Sequence, residues 1–165
     1  MFKIIFFLMN ALDGSRLLNL VNSKWGGALC AIVLGVLLSC ALAPFEIWPT
    51  AILAYSFLMM LLSVAKSKKK VFFTTLLFYA SYATVSLTWL NFGLERFGEL
   101  PSVLSNFVIV LFSFLYIALP YAILNTLAFY LSKGKTAVFL ISFMPVAFIL
   151  SDFFTGWFLT GFPCN

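Results

Sequence analysis

Residues Lys66–Lys70 read KSKKK, and long apolar runs lie on both sides of them. This is the one dense cluster of charge in a chain that is 9% charged and 64% hydrophobic. A lysine at the centre of a membrane helix costs about 2.5–3.5 kcal/mol. Lys66, Lys68, Lys69 and Lys70 therefore stay in water or among headgroups, and the flanking runs turn back into lipid. Positively charged loops remain cytoplasmic. This stretch thus sets the orientation of everything before and after it.

A water-soluble chain of 165 residues has too much surface to hide 21 phenylalanines. The composition is that of an integral membrane protein. A net charge of +5 raises the question of nucleic acid. Here the basic residues are strung along loops, with no soluble face to collect them, and no nucleic-acid partner follows. The chain has no His, which removes the commonest general base and metal ligand. Cys30, Cys40 and Cys164 show no CxxC spacing. Cys30 and Cys40 lie in an apolar run, where a free Cys acts as a small hydrophobe. Neither a disulfide framework, a metal site nor a cofactor motif is expected.

The reading along the chain is all-α: a polytopic transmembrane bundle of about five spans, with the N-terminus inside and the C-terminus outside. Residues 1–24 form a cytoplasmic or interfacial segment, with Leu17, Leu18, Leu20 and Val21 dipping into lipid. Lys3 before Ile4–Met9 fits the start of a signal peptide, but Asp13-Gly14 stands where a small-residue cleavage site belongs. The bundle, 25–165, has spans at about 25–43, 47–65, 71–90, 103–131 and 136–152, then an outer segment, 153–165. Pro44 and Pro49 end the first span, and Trp48 between them suits the headgroup level. The tight turn makes the first two spans antiparallel neighbours. Hydroxylated residues of the third span, among them Thr74, Thr75, Ser81 and Thr84, suit packing inside a bundle. Residues 91–102 are read as an outer loop. The fourth span contains Pro120, where a kink is expected because the ring clashes with the carbonyl of Tyr116. The fifth is short and draws on 152–157 to reach the far interface. With KSKKK inside, nine of the ten basic residues fall inside and only Arg96 outside, where Glu46, Glu95, Glu99 and Asp152 also lie.

No nucleophile–base pair is visible, since Ser and Thr lack a neighbouring activator. Glu95, Arg96 and Glu99 can bind a lipid headgroup or a substrate amine; they also suit a solvated loop, where charge is cheap. Asp152 follows a long apolar run. An ionisable residue at membrane depth is a functional candidate, and one near a span's end is equally an interfacial anchor. The lysine cluster attracts anionic lipid at about 1 kcal/mol per residue.

Three stretches together carry a resemblance. Ala43-Pro44-Phe45-Glu46-Ile47-Trp48-Pro49 resembles the APF-x-x-WP turn of the bacterial apolipoprotein N-acyltransferases. Thr88-Trp89 followed by Phe97-Gly98 and Pro101 resembles that family's SW…FG…P loop, and Gly156–Pro163 its GW-x-x-TGFPW element. All three occur in family order. The resemblance implies a membrane bundle joined to a nitrilase-like domain on the outer side, in the bacterial inner membrane. It implies phospholipid and lipoprotein substrates: an acyl chain passes to an enzyme cysteine, then to the α-amine of a diacylglyceryl-cysteine. The family's Glu–Lys–Cys triad belongs to the nitrilase-like domain, and no catalytic residue carries over to these positions. Cys164 stands where the family has Trp, and Asp152-Phe153-Phe154-Thr155-Gly156 where it reads E-x-x-R-G. Trp89, Glu95, Arg96 and Asp152 are the expected substrate or lipid contacts. The expectation is a membrane part cut before its catalytic domain, inactive alone or completed by a separate nitrilase-like chain. The alternative is a small multi-span binding or transport module sharing the bundle.

Overall fold

The structure is a computed structural model and describes residues 23–42, 45–133 and 135–157. Residues 1–22, expected to form an interfacial segment, together with Pro44, Cys164 and most of the Gly156–Pro163 element, lie outside the described residues. Among those described, the regular structure is entirely helical: α1 Lys24–Ser39, α2 Pro49–Ser63, α3 Lys68–Ser86, α4 Leu90–Arg96, α5 Ser102–Leu131 and α6 Thr136–Trp157. By length and composition α5 and α6 can each cross a membrane. The bent pair α3 and α4 supplies a third crossing if taken together, and α1 and α2 are shorter apolar helices.

The KSKKK stretch is less of a loop than the sequence suggests. Ser67 caps α3, its hydroxyl accepting from the Lys70 amide at 3.2 Å, so Lys68–Lys70 form the first helical turn. Cations at a helix N-terminus oppose the macrodipole. Their retention there is a matter of keeping charge out of lipid rather than of helix stability. Lys68 Nζ sits 3.8 Å from the centroid of the Tyr130 ring. This contact places the start of α3 beside the end of α5, so the KSKKK stretch and Lys133–Lys135 share one end of the bundle.

Helix α3 is the centre of the packing, with α1 on one side and α5 on the other, while α6 packs on α5. The α1–α3 seam is built from small residues. Gly27, Ala31, Gly35 and Ser39 recur one turn apart on α1 and are all buried. A Cβ on Gly35 would collide with Ser81 Oγ and the backbone oxygen of Phe78. Close backbone approach through such residues is the main source of helix association in lipid. Ser39 closes the seam by donating to the backbone oxygen of Tyr82 at 3.1 Å. Phe78, Phe139, Leu58, Leu62, Met144 and Val71 fill the interior.

One expectation requires correction. Residues 91–102 are not simply a loop: Leu90–Arg96 form α4, turned by 56° from α3. Leu90 and Leu94 pack against the core and hold it there. Near Pro120, where a kink is expected, the structure has a π-helical stretch, Ser113–Ala118, inside one continuous helix. The Leu119 amide donates to the Phe114 oxygen five residues back. A widened turn relieves the clash between the proline ring and the preceding carbonyls. Pro145 in α6 is handled alike, behind the π-helical stretch Phe139–Phe143; the sequence reading passed over it.

Gly35→Leu is expected to destabilise the chain by about 1–3 kcal/mol, the usual cost of overpacking a tight site. Gly27→Ala, nearer the end of the seam, is expected to cost less. Unfolding in mixed micelles measures both, and a Gly35→Leu variant as stable as the parent would overturn this account of the seam.

Candidate functional site

Polar side chains in an apolar bundle mark two places. The first is a cluster of tyrosines around an acid. Tyr121 of α5 donates a short hydrogen bond to Asp152 Oδ1 of α6. The Tyr79 ring of α3 stacks on Tyr121, with centroids 3.8 Å apart and planes 19° apart. Tyr55 of α2 and Tyr79 are hydrogen-bond partners through their side chains. Phe148 of α6 packs against Tyr55, Tyr79 and Tyr121 with centroids 5.9–6.3 Å away. Four helices thus converge on one aromatic cluster.

The helix geometry gives its level. At a rise of about 1.5 Å per residue, Tyr121 stands about 15 Å from the Leu131 end of α5. By the same measure Tyr79 stands about 16 Å from the start of α3, and Tyr55 about 12 Å from the end of α2. The tyrosines are therefore about half a hydrocarbon thickness from the lysine end, and Asp152 is about 24 Å along α6 from its Thr136 start. Asp152 is exposed on the bundle surface while its carboxylate accepts from Tyr121. One turn further along α6, Thr155 presents its backbone oxygen to the buried Tyr116 hydroxyl. Two tyrosines of α5 thus fasten the same stretch of α6.

The second place is α4 at the opposite end. Ser105 Oγ donates to Asn91 Oδ1 at 2.6 Å, and Asn91 Nδ2 donates to Asn106 Oδ1 at 3.0 Å. Asn106 Nδ2 donates to the Ser102 backbone oxygen at 2.8 Å. This chain of bonds ties α4 back onto the first turns of α5. It spares the bent segment unsatisfied amides, the costliest defect in an apolar medium. Trp89 is the residue just before α4 and is 62% exposed; Glu95 and Arg96 are exposed in its last turn. The Arg96 guanidinium lies 5.8 Å from the Phe92 ring centroid. Glu99 follows with φ of 51°, a left-handed conformation uncommon outside glycine.

Of the residues singled out in the sequence, Trp89, Glu95 and Arg96 are gathered on α4 and its cap. Asp152 belongs to the other cluster, whose Tyr121 is about 22 Å along α5 from Asn106. Sequence reasoning missed Tyr55, Tyr79 and Tyr121, because tyrosines in an apolar run read as packing residues. It also passed over Asn91 as a loop residue. The signal available was polarity itself: a polar group inside a span requires a partner.

Among the described residues no cluster of His, Cys, Asp or Glu can hold a metal ion. The aromatic cluster can hold a hydrogen-bonded carboxylate at depth, and α4 can present charge to headgroups. Tyr121→Phe removes the bond to Asp152 and keeps the stack on Tyr79. It is expected to cost about 1 kcal/mol, in the range of interhelical bonds in lipid. Tyr121→Ala, losing the ring as well, is expected to cost about 3 kcal/mol or more. Denaturant unfolding in micelles distinguishes them, and equal losses would show the hydrogen bond to be without weight.

The model of the apolipoprotein N-acyltransferase N-terminal domain matches residues 34–165. The apolipoprotein N-acyltransferase of Haemophilus influenzae is 35% identical over 143 residues, covering 86% of this chain and 26% of that protein. That of Vibrio cholerae is 30% identical over 138 residues, covering 82% and 26%. That of Pasteurella multocida is 30% identical over 135 residues, covering 81% and 24%. The chain spans about a quarter of the length of these curated relatives. A family model matching most of the chain, with aligned relatives at these identities, places the chain in the apolipoprotein N-acyltransferase family, in the part that forms its N-terminal domain.

Proposed function

We propose that this chain is the membrane part of an apolipoprotein N-acyltransferase of the bacterial inner membrane, serving the transfer of a phospholipid acyl chain to the N-terminal diacylglyceryl-cysteine of a lipoprotein. The family membership carries the proposal. The bundle admits the acyl chains of both substrates from the bilayer and holds their polar ends near its outer face. The acyl-transfer chemistry itself belongs to a nitrilase-like domain outside these residues.

The topology goes with this reading: about five crossings, the N-terminus inside, the lysine end cytoplasmic and α4 on the outer face. Two features support it. The KSKKK stretch and the Lys133–Lys135 turn stand at one end, as the Lys68–Tyr130 contact requires. The exposed Trp48, Trp89 and Trp157 lie towards the other, and tryptophan favours the headgroup level. In the bent α3–α4 pair, Arg96 meets a lipid phosphate, Glu95 the rim of the site, and Trp89 the interface. Asp152, held by Tyr121, is the polar group at depth that a substrate head entering the bundle meets.

Accessibility labelling tests the topology: a cysteine probe at Ser67 is expected to react only from the cytoplasmic side, and one at Glu99 only from outside. Labelling of the Ser67 probe from outside in intact cells would refute it. A chimera tests the function, with residues 34–165 replacing their counterpart in the Haemophilus influenzae enzyme. It is expected to N-acylate a diacylglyceryl peptide, read by mass spectrometry, whereas the 165-residue chain alone yields no product. Arg96→Ala in the chimera is expected to raise the KM for phospholipid more than it lowers kcat. Product from the isolated chain above a no-protein control, or an inactive but folded chimera, would overturn the proposal.

A further inference from the structure

Helices α3 and α5 meet along a face marked by Tyr79 stacked on Tyr121, and Lys68 on the Tyr130 ring fixes their relative direction. The pair is antiparallel, so moving along α3 towards its start matches moving along α5 towards its end. Thr75 is one turn before Tyr79, and Asn125 is one turn after Tyr121. They therefore stand at the same level on the shared face. In the other direction Ser86 is two turns beyond Tyr79, and Ser113 is two turns before Tyr121. They too share a level.

These four residues stand out in another way. Thr75, Ser113 and Asn125 are fully buried. Thr75 Oγ1, Ser86 Oγ, Ser113 Oγ and Asn125 Oδ1 are the buried side-chain polar atoms that lack a hydrogen-bond partner among the described residues. Other hydroxyls in the bundle behave differently. Ser81, Thr126, Ser151 and Thr155 each donate to a carbonyl one turn back. Asn125 spends its amide nitrogen on the Tyr121 backbone oxygen and leaves its own oxygen without a partner. Orphaned polar atoms thus occur as two facing pairs, one on each side of the stacked tyrosines. Leaving such an atom unmet in a buried setting costs about 1–3 kcal/mol, and neither pair is joined by a direct hydrogen bond.

We infer that the α3–α5 interface binds water at two levels, one molecule bridging Thr75 Oγ1 to Asn125 Oδ1 and one bridging Ser86 Oγ to Ser113 Oγ. A buried water needs two to four polar partners, and each pair supplies two. The Thr75 hydroxyl donates to the lower water, which donates to the Asn125 carbonyl oxygen. In the upper pair each serine hydroxyl both accepts and donates, so either orientation of that water is met. The two waters flank the Tyr79–Tyr121 stack and give the central helix pair of an apolar bundle a hydrated seam.

The test is water-edited solid-state NMR on the full chain reconstituted in phospholipid bilayers, which reads transfer of magnetisation from water to individual side chains. Transfer to Asn125 and Thr75 is expected well above that to the equally buried Leu58 and Phe78. Thr75→Val is expected to lower transfer at Asn125 to the Leu58 level and leave Ser113 unchanged; Thr75→Ser, which keeps the hydroxyl, is expected to retain it. Ser86→Ala is expected to silence Ser113 alone. Transfer at Asn125 no greater than at Leu58 in the parent chain, or unaltered by a folded Thr75→Val variant, would overturn the inference. Should Thr75→Val fail to fold, the parent and Thr75→Ser spectra decide it.

Discussion

The packing of this chain depends on the contact between α1 and α3 at Gly35. Lipid is as apolar as leucine, so burying side chains from it supplies little drive for helices to associate. What remains is close fit and hydrogen bonding. Gly27, Ala31, Gly35 and Ser39 give α1 a groove without side chains, and the backbone of α3 at Phe78 lies in it. Ser39 adds a hydrogen bond from the same stripe. With α1 seated, α3 presents its other face, with Thr75, Tyr79 and Ser86, to α5.

The long helices obey a second constraint. Backbone groups in an apolar medium must be paired within their own helix, and proline removes one donor. Both α5 and α6 carry a proline in mid-course, and each places a π-helical stretch immediately before it. The widened turns preserve helices long enough to cross a membrane. The stretch in α5 also holds Ser113 and Tyr116, both buried at the interface with neighbouring helices. One local accommodation of proline therefore lies beside the Tyr116–Thr155 hydrogen bond and the unpartnered Ser113 hydroxyl.

Polar groups are sparse in such a chain, and their grouping by level carries its functional content. An acid held by a tyrosine stands at depth, and a bent helix carrying Glu95 and Arg96 is tied down at one end by Asn91, Ser105 and Asn106. Under the proposed function, apolar walls would take the acyl chains and these polar points the heads, separated along α5.

The membrane class, the all-helical character and the family were legible in the sequence alone. The apolar composition points to a membrane protein, and the lysine cluster bounds the apolar runs on either side of it, because the cost of charge in lipid is local. The three motifs pointed to the family because they are read as strings. The sequence also held the small-residue stripe of α1 and the proline at 145, both regular local patterns open to a closer reading. Other features were decided only by tertiary structure. Nothing in the order of residues says that Tyr55, Tyr79, Tyr121 and Asp152 meet, since they come from four helices and tyrosine suits any apolar face. That a widened turn, Ser113–Ala118, precedes Pro120 is likewise seen only in the folded helix. Residues 91–96 read as a loop because polarity suggests solvent; they form a helix because Leu90 and Leu94 find the core and Asn91 finds partners on α5. Local cost is written in the sequence, whereas the satisfaction of a polar group depends on which helix stands opposite it.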